Sequence, residues 1–150
     1  MDEFERMLIE RACERLVTQF SHSVDFGEAA RIADLFSEDG EFTTPGVVTL
    51  KGQQELRAGL GERQKKSARV ARHVCTNLLV TVLDSDHAEG IVYVTMYRHD
   101  REPGEGDAPP PICPPLMVGE YRDRFIRAPE GWRFARREAT IAFRAYREKS

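Results

Sequence analysis

Cysteine is scarce in this sequence. Its three residues, Cys13, Cys75 and Cys113, are widely spaced and odd in number. No C-x-x-C pair is present, so neither structural zinc nor a disulfide framework is expected, and a reduced, cytoplasmic protein is the simplest reading. No apolar run approaches the length of a membrane span. The first residues, Met1-Asp2-Glu3-Phe4-Glu5, are acidic where a secretory leader needs a basic start and an apolar run. Basic excess is missing as well. The formal net charge is −3, and bases alternate with acids, as in Glu120-Tyr121-Arg122-Asp123-Arg124, so neither nucleic acid nor membrane is an expected partner. Internal repeats and linker-like stretches are absent. A single domain over residues 1–150 follows, long enough to bury a core.

What is present is an ordinary soluble balance, 41% hydrophobic and 31% charged residues. Residues about 3–20 predict an amphipathic helix in which Leu8, Ala12, Leu16 and Phe20 repeat every four positions. Asp2 and Glu5 have capping-box spacing at its start. A second helix is predicted over about 26–36, with Ala29, Ile32, Ala33 and Phe36 as its apolar stripe. Asp25 and Glu28 repeat the capping-box spacing there, which makes Asp25 a candidate N-cap. His22 then falls in the loop between the two helices. Asp39-Gly40 signals a turn before a short strand, Glu41 to Thr44, which Pro45-Gly46 stops. A third helix, about 52–64, buries Leu56 and Leu60.

The remainder changes character. Four strands are predicted at about 70–83, 88–99, 116–127 and 131–144, rich in Val, Ile, Tyr, Phe and Thr. Glu130-Gly131 reads as a tight hairpin turn. Between the middle pair, about 101–115, runs a proline-rich loop that cannot join a ladder and is long enough to cover an opening. Helices followed by a long antiparallel meander is an α+β order. Strands this long must curve around a small domain, which leaves a concave face for the helices to close.

This order resembles the nuclear-transport-factor-2-like superfamily. The resemblance is carried by Val24-Asp25, by Arg72-His73-Val74-Cys75-Thr76-Asn77 opening the first long strand, and by Gly131-Trp132-Arg133-Phe134-Ala135-Arg136-Arg137 near the end. Within the superfamily the chain looks like the SnoaL-like branch, which includes scytalone dehydratase and the lindane dehydrochlorinase. The resemblance implies a cone-shaped α+β barrel: three N-terminal helices packed on a strongly curved, mixed, mainly antiparallel sheet. It also implies an Asp–His pair, at Asp25 and His73, and an arginine from the last strand. Arg137 is the better match for that arginine and Arg136 the rival. Phe42, Val94, Met96, Met117, Gly119, Tyr121, Ala139 and Ile141 would line the pocket. A homodimer or homotrimer is expected, because the convex face of such a sheet needs cover. The sequence departs from those enzymes at three points. Val24 stands where a tyrosine precedes the Asp, Val94 and Met96 where the next strand carries a second histidine, and Phe20 where the dehydrochlorinase has a lysine.

The chemistry that follows is proton transfer without a cofactor. Histidine is a base suited to neutral pH, and a carboxylate on Nδ1–H fixes its tautomer and stabilises the imidazolium. His73 would abstract a proton from carbon, Asp25 would orient it, and Arg137 or Tyr121 would stabilise the developing anion. The expected activity is a dehydratase-like lyase acting on a small hydrophobic cyclic or aromatic molecule. An isomerase or polyketide cyclase is the alternative, with a non-catalytic binding module or accessory subunit behind it. Cys75 reads as a buried thiol. His22, Asp25 and His73 match no standard metal-ligand spacing, and no metal is expected.

Overall fold

The computed structural model of the chain describes residues 1–145. Helix α1 spans Glu3–Asp25 and begins with the expected capping box. The Asp2 carboxylate accepts from the Glu5 N–H at 2.8 Å, and the Glu5 carboxylate accepts from the Asp2 N–H at 2.9 Å. Its buried stripe is Ile9, Cys13, Leu16, Val17, Phe20, Ser21 and Val24. Leu8 is exposed. A four-residue repeat overshoots each helical turn by about 40°, so the expected row drifts off the buried face and only its later members, Leu16 and Phe20, reach the core.

The helix also runs past its expected end. It closes in a Schellman-type turn: Gly27 has φ +82° and the Glu28 N–H donates to the Ser23 carbonyl at 2.9 Å. His22 therefore sits on α1 rather than in a loop. The expected second α-helix is instead a 3₁₀ helix, Ala29–Leu35, with no side-chain cap. Asp25 is thus the last residue of α1 and caps nothing.

Strand β1, Phe36–Thr44, starts earlier than its sequence suggests, and β2, Val48–Lys51, follows the Pro45-Gly46 turn unannounced. Helix α2, Gly52–Gln64, lies where expected and buries Leu56 and Leu60. The long strands are β3 Arg69–Val82, β4 His87–Asp100, β5 Met117–Ala128 and β6 Gly131–Arg144. They join in the order β2-β1-β6-β5-β4-β3. Only the β1–β6 pairing is parallel. The result is the expected mixed, strongly curved α+β cone, open rather than closed into a barrel.

Two features set the curvature near the site. A bulge in β3 lies between Thr76 and Leu79, where Asn77 takes φ +55°. A second irregularity lies opposite Val118 and Gly119 of β5, where Ala142 is the extra residue of β6; a Cβ on Gly119 would lie 2.0 Å from the Thr140 carbonyl oxygen, so only glycine fits. The helices fill the concavity, and Phe20 packs on Phe36, Phe42, Tyr121 and Phe134. The proline-rich loop does not cover the cone. It lies against the outer side of β3 and β4, where Pro110, Pro111 and Ile112 share an apolar groove of about 350 Å³ with Val70, Val74 and Tyr97. Arg101 anchors it by donating to the carbonyls of Gly106 and Ala108.

Candidate active site

Strand β3 is an edge strand, so half of its N–H groups have no neighbouring strand. At His73 that vacancy is filled by Asp25. Asp25 Oδ2 accepts from the His73 backbone N–H at 2.7 Å, and Oδ1 lies 2.6 Å from His73 Nδ1. Both carboxylate oxygens are committed to one residue, and the side chains are nearly sealed, 6% and 12% exposed. A carboxylate only accepts, so Nδ1 carries a proton, and in the neutral imidazole Nε2 then offers a lone pair. Among the described residues Nε2 has no hydrogen-bond partner. A carboxylate in the last turn of α1 also opposes the helix dipole. The two bonds to His73 offset that penalty, and an unfavourable local choice held by a specific partner is what a functional position looks like.

The register places the predicted residues in successive rows on one face. His73 faces Met96, which faces Met117. Cys75 faces Val94, then Gly119, then Ile141. Tyr121 lies between Val92 and Ala139. Asp123 faces Arg137, which faces Phe42 across the parallel pair. Val94, Tyr121 and Ala139 are buried, while Phe42, Met96, Met117 and Ile141 are half-buried. This is a largely apolar wall with His73 near one end.

Arginine 136 and 137 separate cleanly. Arg136 points out of the cone to Glu41 and Glu138, at 2.9 and 2.5 Å. Arg137 points in and is fully buried, but it is not a free cation. Its Nε and Nη2 donate to the two oxygens of Asp123, each at 2.7 Å. Its guanidinium carbon lies 4.5, 4.2 and 4.3 Å from the ring centroids of Phe20, Tyr121 and Phe134. Burial works against the charge, but the Asp123 carboxylate outweighs it and holds the guanidinium above its usual range. Among the described residues Nη1 has no hydrogen-bond partner, and it is buried. Phe20 thus serves as a face for the arginine.

Asp123 is the residue that sequence reasoning missed. The signal was present, because inward Tyr121 implies inward Asp123 two positions on. Its place among alternating charges hid it. Other groups behave as structural parts. Cys75 Sγ lies 3.2 Å from Ser21 Oγ, and burial pushes its thiol up, away from nucleophilic use. Burial likewise raises the Tyr121 hydroxyl, which remains a neutral donor. His22 stacks edge-on with Phe26, 5.8 Å between centroids. Among the described residues no group of three His, Cys, Asp or Glu side chains is arranged to hold a metal ion, and no helix is long and apolar enough to cross a membrane.

Comparison with known proteins gives the family and the fold. A family model described as a SnoaL-like domain matches residues 5–138. Among solved structures, a protein of Novosphingobium aromaticivorans provisionally assigned as a scytalone dehydratase superposes with TM-score 0.81 at 20% identity, over 99% of this chain and 95% of that one. A second protein from the same organism, described as NTF2-like with a cystatin-like fold, gives 0.76 at 24% identity, over 93% and 85%. The hexachlorocyclohexane dehydrochlorinase of Novosphingobium barchaimii gives 0.74 at 18% identity, over 96% and 93%. No curated protein matches the chain. At these identities the structural likenesses establish the fold.

Proposed function

The chain belongs to the SnoaL-like domain family, and from that premise we propose that it is a cofactor-independent lyase acting on a small hydrophobic, cyclic or aromatic molecule. The observation that carries the reading is the doubly bonded Asp25–His73 pair on the concave face. His73 Nε2 takes a proton from carbon beside a carbonyl, a ring or a leaving group. Asp25 fixes the tautomer and stabilises the imidazolium as it forms. General base catalysis of this kind contributes about 10²–10⁴-fold. Arg137 contributes its remaining Nη1–H to oxygen that gains negative charge, and Met96, Met117, Ile141, Val94, Ala139, Tyr121 and Phe42 form the apolar enclosure.

Elimination is preferred over isomerisation or cyclisation because two of the similar structures carry the names of a dehydratase and a dehydrochlorinase. All three share the base step. A non-catalytic module or accessory subunit would have no use for a pair held at 2.6 Å. The exposed Val74, Leu79 and Tyr93 on the outer sheet face support a homodimer or homotrimer, and the free cysteines suit a cytoplasmic setting.

The test is turnover, or solvent deuterium incorporation, over a panel of cyclic and aromatic ketones, alcohols and halides. His73→Ala should abolish both in protein that remains folded by circular dichroism. Asp25→Asn should reduce the rate by up to about 10⁴-fold, because the amide imposes the wrong tautomer. Turnover retained by His73→Ala would remove the mechanism.

A further inference from the structure

Arg137 is the one guanidinium in the described inward row Gly90, Asp123, Arg137, Phe42 and Leu50, and it meets a carboxylate head-on. Two of its three nitrogens are consumed by Asp123. The third is buried and unpartnered, under a wall that contains no other charged group between it and the Asp25–His73 pair. A buried donor left empty is unfavourable, so it is filled when a suitable acceptor enters. The charge of that acceptor follows from the pair. A guanidinium balanced by one carboxylate offers a directed N–H but no net positive charge, and Asp25 adds a second carboxylate at the His73 end. Resting on the lyase reading above, we propose that Asp123 is the specificity-determining residue of the pocket: by cancelling Arg137 it selects an uncharged molecule presenting a carbonyl or hydroxyl oxygen and rejects the matching carboxylate. Met96 and Met117, flexible and half-buried beside His73, are the side chains that yield to admit it.

The rule makes opposite predictions for the two halves of the pair. Asp123→Asn unmasks the cation and favours an anion. Arg137→Gln unmasks Asp123 and disfavours it. The double variant is uncharged, like the native pair. Every charged group outside the pair is the same in each variant, so ratios between variants isolate the deep pair. Acetophenone and benzoate serve as the probes, one neutral and one anionic on the same ring. The chain has four methionines, so methyl-labelled methionine gives four signals. Met96 and Met117 report the site, and the exposed Met1 and Met7 are controls.

Acetophenone should move Met96 and Met117. The benzoate-to-acetophenone affinity ratio should rise about tenfold or more in Asp123→Asn and fall by a similar factor in Arg137→Gln, the effect of one unbalanced charge within roughly 12 Å at an effective dielectric of about 20. The double variant, which buries no unbalanced charge, should restore the wild-type ratio. A ratio that stays within about twofold in either single variant that folds, or that shifts in the double variant, overturns the proposal, as does failure of both probes to move Met96 and Met117. His73→Ala should leave the ratio unchanged while removing turnover, so failure of the chemistry and failure of the selectivity are read separately.

Discussion

The buried Arg137–Asp123 pair allows the most stringent test of the packing argument. Both side chains are 0% exposed, and two parallel N–H···O bonds of 2.7 Å join them. Removing one partner strands the other as an unbalanced charge in an aromatic cage. Breaking a pair of this kind destabilises by about 3–5 kcal/mol. For a chain of this length each kcal/mol lowers the melting temperature by about 2–4 °C, so Asp123→Leu and Arg137→Met should each melt roughly 6–20 °C below wild type. Replacing both partners with apolar residues of similar volume, Asp123→Leu with Arg137→Met, should return stability to within about 1–2 kcal/mol of wild type, since the desolvation penalty of the pair disappears with it. The cycle therefore predicts strong non-additivity, with the double variant more stable than either single one. Urea denaturation with matched m-values, supported by calorimetry, measures all four corners. Single variants within about 1 kcal/mol of wild type would refute the claim that the charges are desolvated. A double variant at the sum of the singles would refute the claim that they act as one unit.

Thiol reactivity provides a second check: burial pushes the Cys13 thiol up to about 12 and raises Cys75, while Cys113 is exposed. Ellman's reagent at neutral pH should therefore find one fast thiol in the native protein and three in denaturant, and a second fast native thiol would contradict the burial of Cys75. Asp100 sits well below its ordinary 3.8 chiefly because Arg69 donates to it, at 2.5 and 3.0 Å. Its folded value is depressed, so its contribution is present above about pH 4 and fades as pH falls below that. Because the carboxylate is half exposed, Asp100→Asn should reduce stability at pH 7 by less than about 1 kcal/mol, and the difference should vanish in an acid titration of the unfolding midpoint. Gly119→Ala should destabilise by about 1–3 kcal/mol or more, because its Cβ would meet the Thr140 carbonyl oxygen at 2.0 Å. A neutral result there would mean that the β6 backbone opposite Gly119 relaxes freely.

How far the sequence alone reaches depends on whether a signal is local. The four long strands, α2 and the Asp2–Glu5 cap each lie within a short window of sequence, and each was readable to within a few residues. Once His73 and Arg137 are taken as inward, alternation puts Ala71 and Cys75 on the face of His73, and Ala139 and Ile141 on that of Arg137. Asp25 shows where the local signal misleads. Asp25 and Glu28 have cap spacing, but Gly27 at φ +82° is the stronger punctuation, because it ends α1 and leaves Asp25 one residue from the exit. Once α1 reaches Asp25, the side chain faces the open edge of β3, and no window along the chain contains both partners, which stand 48 residues apart. Asp123 is the same lesson with the opposite sign. It looked like one more solvated charge in an alternating run, yet alternation beside Tyr121 required it to point inward, and an inward carboxylate requires a cation. Sequence fixes the direction of a side chain more readily than its partner. Here the partner decides whether Arg137 acts as a free positive charge or as one directed donor.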